Sequence, residues 1–240
     1  MNKLLAFAAA AIIGGTVFAA ETATPAAAPA AQPVCDRELK PLDQWTPFQV
    51  CFLPGVPNAM WQSNVFGIKS GWPVTCGYGR VWGLEASWFY SGTRNVNGFQ
   101  ASWICCQADE FDGVQAAFVT CLNLGKQFNG LQASLGYVQS GDINGAQGGA
   151  VNLAKNVNGI QAGLLFAMAN DVNGFQASGV CVNSGKLNGV QCNLYGQVKN
   201  SSGVQLGVVN VSGGKGVQFG AINIMKDAWI PVFPIFNFAF

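Results

Sequence analysis

A chain of 240 residues, half of them apolar, is long enough to bury a sizeable core in one domain once a targeting segment is set aside. Charged residues make up only 10%, and 12 basic residues nearly cancel 11 acidic ones without forming a run of either sign, which excludes an electrostatic footprint for nucleic acid or for an anionic membrane surface. Histidine is absent, which removes the commonest general base and the commonest zinc ligand, and a surface so poor in charge is expected to consist of Asn, Gln, Ser, Thr and Gly.

Residues 1–19 begin Met1-Asn2-Lys3, continue through the apolar run LLAFAAAAIIGG and end on small residues at Ala19, the pattern of a secretory signal peptide. The apolar run falls short of the roughly 20 residues a membrane-spanning helix needs. Residues 20–44, with ETATPAAAPAAQPV at their start, read as an extended Ala/Pro-rich linker. Cys35 follows Gln32-Pro33-Val34, which is not the Leu-small-small run that precedes a lipidated cysteine. Residues 45–66 are aromatic and punctuated by proline, with one alternating run from Phe48 to Phe52, and read as an N-terminal cap with a first strand.

From 67 to 227 the chain repeats. Glycines recur at Gly67, Gly83, Gly98, Gly113, Gly130, Gly145, Gly159, Gly174, Gly189, Gly203 and Gly216, eleven copies with a period near 15. From Gly98 onward the second residue after each glycine is glutamine: Gln100, Gln115, Gln132, Gln147, Gln161, Gln176, Gln191, Gln205 and Gln218. The two earlier copies carry Lys69 and Glu85 there, as expected of degenerate terminal repeats. Two residues before most of the glycines stands an apolar side chain, and turn pairs such as Gly141-Asp142 and Gly185-Lys186 separate the copies. Each copy therefore reads as strand plus turn, with the apolar alternation of a half-buried strand, as in Val204, Leu206 and Val208.

Two all-β architectures use such a unit. In a parallel β-solenoid each copy makes one coil, and equivalent residues stack in ladders about 4.8 Å apart. In an antiparallel meander the copies run up and down and close into an outer-membrane barrel of about twelve strands. Positions one, three and five after the glycine are apolar, yet so are position eight (Cys106, Cys121, Val138, Leu153, Val182, Val211) and the position two before the next glycine. A straight strand keeps one parity, whereas a coil that turns a corner can switch it, and the Asn-Gly pairs tolerate corners; the solenoid is favoured. The barrel remains the alternative, because the chain ends in Phe236-Asn237-Phe238-Ala239-Phe240, a terminus like the last strand of outer-membrane barrels. Residues 228–240, AWIPVFPIFNFAF, leave the repeat and are expected to cap its open edge, where Pro231 and Pro234 discourage further strand addition.

The units GVQLGVVN and GVQFGAIN, with the closing run from Pro231 to Phe238, resemble a poorly characterised class of bacterial surface-repeat proteins built from tandem Gly-apolar-Gln-apolar-Gly-apolar-apolar-Asn units. The resemblance covers residues 46–240 and implies a location on the cell envelope or surface of a Gram-negative bacterium. It supplies no catalytic residues. This chain departs from those units in its many Ala and Ser residues and in its cysteines.

Candidate chemistry is sparse. Eight cysteines in an exported chain suggest disulfides, and stacked coils would bring Cys106 and Cys121 within bridging distance; Cys35 with Cys51 is a second pairing within the cap. Asp109, Glu110 and Asp112 are read as a solvated turn in preference to a calcium site, and Glu85 as a structural partner of Arg94 or Arg80. Trp88, Trp103 and Phe118 share the fifth position of successive copies, where core packing is favoured over an aromatic stack for a sugar ring. No nucleophile elbow, P-loop or dinucleotide fingerprint occurs, so no catalytic residue, cofactor or metal is expected. The nine glutamines are read as rungs of a structural ladder. The expected function is that of a non-enzymatic exported envelope or surface protein with a structural or adhesive role. Its partner would be an unidentified surface ligand or envelope component, with outer-membrane association and no nucleic acid; the alternative is an outer-membrane pore.

Overall fold

The computed structural model describes residues 45–52, 62–125 and 127–239. The chain divides into a unit of residues 1–32 and a unit of residues 33–240, and all described residues belong to the second. The signal peptide, the linker and Cys35 lie outside the described residues.

Among the described residues fifteen strands succeed one another: β1 (Trp45–Cys51), β2 (Asn64–Gly71), β3 (Val74–Ser87), β4 (Tyr90–Ser102), β5 (Cys105–Ala108), β6 (Glu110–Ala117), β7 (Thr120–Asn123), β8 (Gln127–Ser134), β9 (Tyr137–Gln139), β10 (Asp142–Leu153), β11 (Asn156–Ala169), β12 (Asp171–Ser201), β13 (Val204–Gly214), β14 (Gly216–Met225) and β15 (Val232–Ala239). Each coil has a long arm and a short arm, as in β6 and β7, joined by an apolar corner at Phe118-Val119 and closed by a turn at Leu124-Gly125. Long arms stack on long arms, so that Gly98 faces Gly113 and Gln100 faces Gln115. Short arms stack on short arms, with Cys106 facing Cys121.

The pairing from β1 through β14 is parallel, which makes the domain a β-solenoid of about 11 turns. The antiparallel meander and the twelve-stranded barrel are overturned. The physical reason lies in the turns: each diverts the chain into the other arm instead of reversing it beside the strand it has just left. The next copy therefore starts beneath the same end of the previous one. The interior of the described coils is filled with buried side chains.

The recurring glycine is demanded twice over by this stacking. Gly159 has φ 133°, a conformation L side chains rarely adopt, and a Cβ there would land on the carbonyl oxygen of Gly145 in the coil below. Gly203 lacks the positive φ but meets the same obstruction, the carbonyl oxygen of Gly189.

Around each glycine, even positions point inward and odd positions outward. Val65, Val81, Val96, Phe111, Phe128, Ile143, Val157, Val172 and Leu187, each two residues before a glycine, form the principal core column. Phe111 and Phe128 stack at 5.2 Å with an interplanar angle of 6°. Position eight follows this rule only in part. Cys106, Cys121 and Val138 are buried, but Leu153, Val182 and Val211 are half-exposed, and Asn152, Cys181 and Asn210 take the interior place one residue earlier. The cause is a corner shortened by one residue, visible where Gly136-Tyr137 is matched in the next coil by Val151 and where Phe166 is matched by Val180.

The last coil is covered by β15, which runs antiparallel to β14 and sets Phe236 against Phe219 and Asn237 against Gln218. Reversal of direction ends the parallel stack, because no further coil can be added in the same register.

Candidate functional site

The chemistry that the sequence offers falls into an internal polar ladder and an external apolar edge. The ladder runs through the interior along the long arms. Gln115 Nε2 donates to Gln100 Oε1 at 2.8 Å, Gln132 to Gln115 at 2.8 Å, Gln161 to Gln147 at 3.0 Å, Gln176 to Gln161 at 2.8 Å, Gln191 to Gln176 at 2.9 Å, Gln205 to Gln191 at 2.7 Å and Gln218 to Gln205 at 2.7 Å. These side chains are 0–1% exposed. The loosest rung is Gln147 to Gln132 at 3.5 Å, where the Gln132 acceptor is shared with the Ser140 hydroxyl. Burying so many amides is tolerable because each finds its partner in the neighbouring coil.

All rungs point the same way, with amide donors toward the N-terminal end. There the ladder meets an anion: Gln100 Nε2 donates to Glu85 Oε2 at 3.0 Å, and the Thr93 hydroxyl donates to Glu85 Oε1 at 2.7 Å. Lys69 Nζ donates to that hydroxyl at 2.6 Å and to the Cys76 carbonyl at 3.2 Å. Glu85 and Lys69 thus terminate the ladder with buried, hydrogen-bonded charges. The pairing of Glu85 with Arg94 is not formed. Arg94 lies on the surface against Asp109, at 3.5 Å, because Glu85 projects inward from the even-numbered face.

The register sets Cys106 opposite Cys121, but the bridge expected between them is not formed: both are thiols, each donating to a backbone carbonyl, Cys106 to Ala116 at 3.2 Å and Cys121 to Ala133 at 3.1 Å. The Cys106 thiol is pushed well above its ordinary range, first by the close Cys121 thiol and then by burial. Burial raises Cys181 from 9.0 to about 11. Such thiols are poor nucleophiles at neutral pH. Asp112 accepts a hydrogen bond from Asn129 at 2.6 Å and heads an exposed asparagine column, continued by Asn144 to Asn129 at 3.0 Å and Asn173 to Asn158 at 2.9 Å. Among the described residues no group of three His, Cys, Asp or Glu side chains converges as metal ligands would.

The outer face inverts what the apolar alternation suggests. Positions one, three and five after the glycine face outward, so the half-buried strand buries its glutamines and exposes its apolar residues. Trp88, Trp103 and Phe118 do not pack in the core; Trp103 is 67% exposed and sits 6.2 Å from Phe118, ring to ring. Leu135, Leu164 and Leu194 continue this ridge along the corner, Leu164 at 77% exposure. A second ridge, Phe99, Leu131, Ile160 and Phe175 among its members, lies along position one. Between the ridges the third position is small from Ala86 to Ala177, and a groove of about 520 Å³ opens over Ala101, Ala116, Ala133 and Gly148, walled by Trp103, Phe118 and Leu135.

Apart from the buried Lys69 and Glu85, charge on the coils gathers at the opposite edge. Among the described residues, Arg80, Arg94, Asp142, Lys155, Asp171 and Lys186 all stand three or four residues before a recurring glycine, at the edge where one coil passes into the next. That restriction is readable in the sequence and is the missed signal for the outward apolar face. No helix among the described residues is long and apolar enough to cross a membrane, which says nothing of contact made by strands. No family model matches the chain, and neither a curated protein nor a solved structure shows significant similarity to it.

Proposed function

We propose that the chain is an exported, non-enzymatic envelope or surface protein of a Gram-negative bacterium, with a structural or adhesive role. The observation that carries this reading is the apolar strip displayed by successive coils, of the kind that marks an interaction surface. Two sequence features support the location: the leader pattern of residues 1–19 and the resemblance of the GVQLGVVN and GVQFGAIN units to bacterial surface-repeat proteins. The polar side chains that could do chemistry, Glu85, Lys69 and Cys106, are buried within the coil stack, which supports a role for the scaffold itself.

Expression of the full chain in a Gram-negative host, followed by fractionation and intact-mass measurement, tests the reading. A product shortened by about 19 residues and recovered with the envelope is expected. Full-length protein retained in the cytosol would overturn it.

A further inference from the structure

We propose that the apolar corner edge seats in one leaflet of a lipid bilayer, so that the solenoid lies along the membrane surface without spanning it. The envelope reading supplies the setting in which a bilayer is met; the contact itself is argued from the geometry of the edge.

Four observations select lipid as the occupant. First, the cross-section of each coil is amphipathic: charged turns such as Lys155 and Lys186 lie on one edge, and the corners carrying Trp103, Phe118, Leu135 and Leu164 lie on the other. Second, the amide of each aromatic or leucine ridge residue at three successive corners is bonded to the coil before it. Trp103 N–H donates to Trp88 C=O at 3.1 Å, Phe118 to Trp103 at 3.2 Å and Leu135 to Phe118 at 3.1 Å, so these amides need nothing from water. A segment entering hydrocarbon must meet that requirement, whereas a corner facing water need not. Third, the ridge is uneven, passing from Leu135 through Ala150 to Leu164 and Gly179. A second rigid copy would require matching hollows, whereas fluid acyl chains fill unequal gaps, and the trough over Ala116 and Ala133 runs along the stack as a bed for one such chain. Fourth, the chain is nearly neutral, at +1, so association is driven by apolar burial and not by anionic headgroups.

At about 4.8 Å per coil the edge extends roughly 50 Å, and seating to a depth of about 5–10 Å would cover the ridge side chains while leaving the charged turns in water.

The experiment is flotation of the full chain with vesicles of zwitterionic phosphatidylcholine at low and at about 1 M salt, compared with a triple variant, Phe118→Glu, Leu135→Glu and Leu164→Glu. The expected result is flotation at both salt concentrations, reduced at least about tenfold in the triple variant and unchanged in a Lys155→Glu, Lys186→Glu control on the opposite edge. Equal flotation of the triple variant and the parent would place binding elsewhere in the chain, including residues 1–19, and overturn the proposal. An unbound parent that self-associates, with the association abolished by the triple variant, would make the edge an interface between copies and also overturn it. Should the triple variant fail to fold, quenching of parent tryptophan fluorescence by acyl-brominated phosphatidylcholine decides: quenching is expected with Trp88 and Trp103 immersed, and its reduction by the paired substitution Trp88→Leu, Trp103→Leu assigns it to this edge. No quenching, or quenching unaltered by that substitution, refutes it. Cytosolic retention in a host would sink the envelope reading and leave flotation untouched; failure to float would sink this proposal and leave export untouched.

Discussion

The inward and outward faces of the same long arm differ in the opposite sense to an ordinary half-buried strand. Gln147, Gln161 and Gln176 are sealed inside, while Ile160 and Phe175, their immediate neighbours in sequence, stand in solvent. The difference teaches that burial in this protein tracks partner availability more than hydrophobicity. An amide stacked on an identical amide one coil away loses little on leaving water, and in the narrow two-armed coil the principal apolar column of Val96, Phe111 and Phe128 is joined by a smaller cluster at Cys106, Cys121 and Val138. The remaining apolar residues are left outside. Substitutions inside and outside should therefore behave oppositely to what residue polarity suggests.

The largest effect is expected at the backbone that lets the two faces exist. Gly159→Ala combines a disallowed φ with a collision against the Gly145 carbonyl, and a loss of more than about 4 kcal/mol, read as absence of a cooperative urea transition, is expected. Phe128→Ala, which empties half of the stacked pair in the core column, should cost about 3–5 kcal/mol by denaturant titration; a loss under about 1 kcal/mol would show that the column is not the core. Next comes the interior ladder. Gln161→Leu orphans both the Gln147 acceptor and the Gln176 donor, and a loss of about 2–4 kcal/mol is expected even though the new side chain is more apolar. Stabilisation by Gln161→Leu would show that hydrophobicity, and not the presence of an amide partner, governs burial in this interior.

A smaller effect is tied to pH. Burial raises the Cys181 thiol from 9.0 to about 11, so the folded chain holds its proton where the unfolded chain releases it. Its contribution to stability is complete below pH 9.0 and is lost as pH climbs toward about 11. Thermal midpoints across that window should fall more steeply for the parent than for Cys181→Ala. The smallest effect belongs to the outer edge, where Leu164→Ser should change stability by no more than about 0.5 kcal/mol, because nothing packs over a side chain that is 77% exposed.

Much of the fold is legible in the chain. The eleven glycines set the coil length, the constant Gln two residues later sets the register, and the parity change between position five and position eight points to a corner, hence to coils in preference to hairpins. Less of the candidate site is legible. Trp103 and Phe118 look like core residues under the ordinary rule that large aromatics are buried, and only their place at a corner defeats it. Glu85 looks like a surface partner for Arg94 because sequence proximity carries no information on which side of the strand each projects. Leu153 and Val182 share the spacing of the buried Cys106 and Cys121, yet a one-residue deletion at a corner moves them to the outer face without disturbing the period.

By itself the sequence determined the repeat, the two-residue periodicity and the identity of every column, since these are properties of spacing. Only the tertiary structure decided which column faced inward. Alternation divides a strand into two faces but is symmetric between them; what breaks the symmetry is the neighbouring coil, which supplies an amide for each buried amide and a glycine carbonyl that forbids any side chain above it.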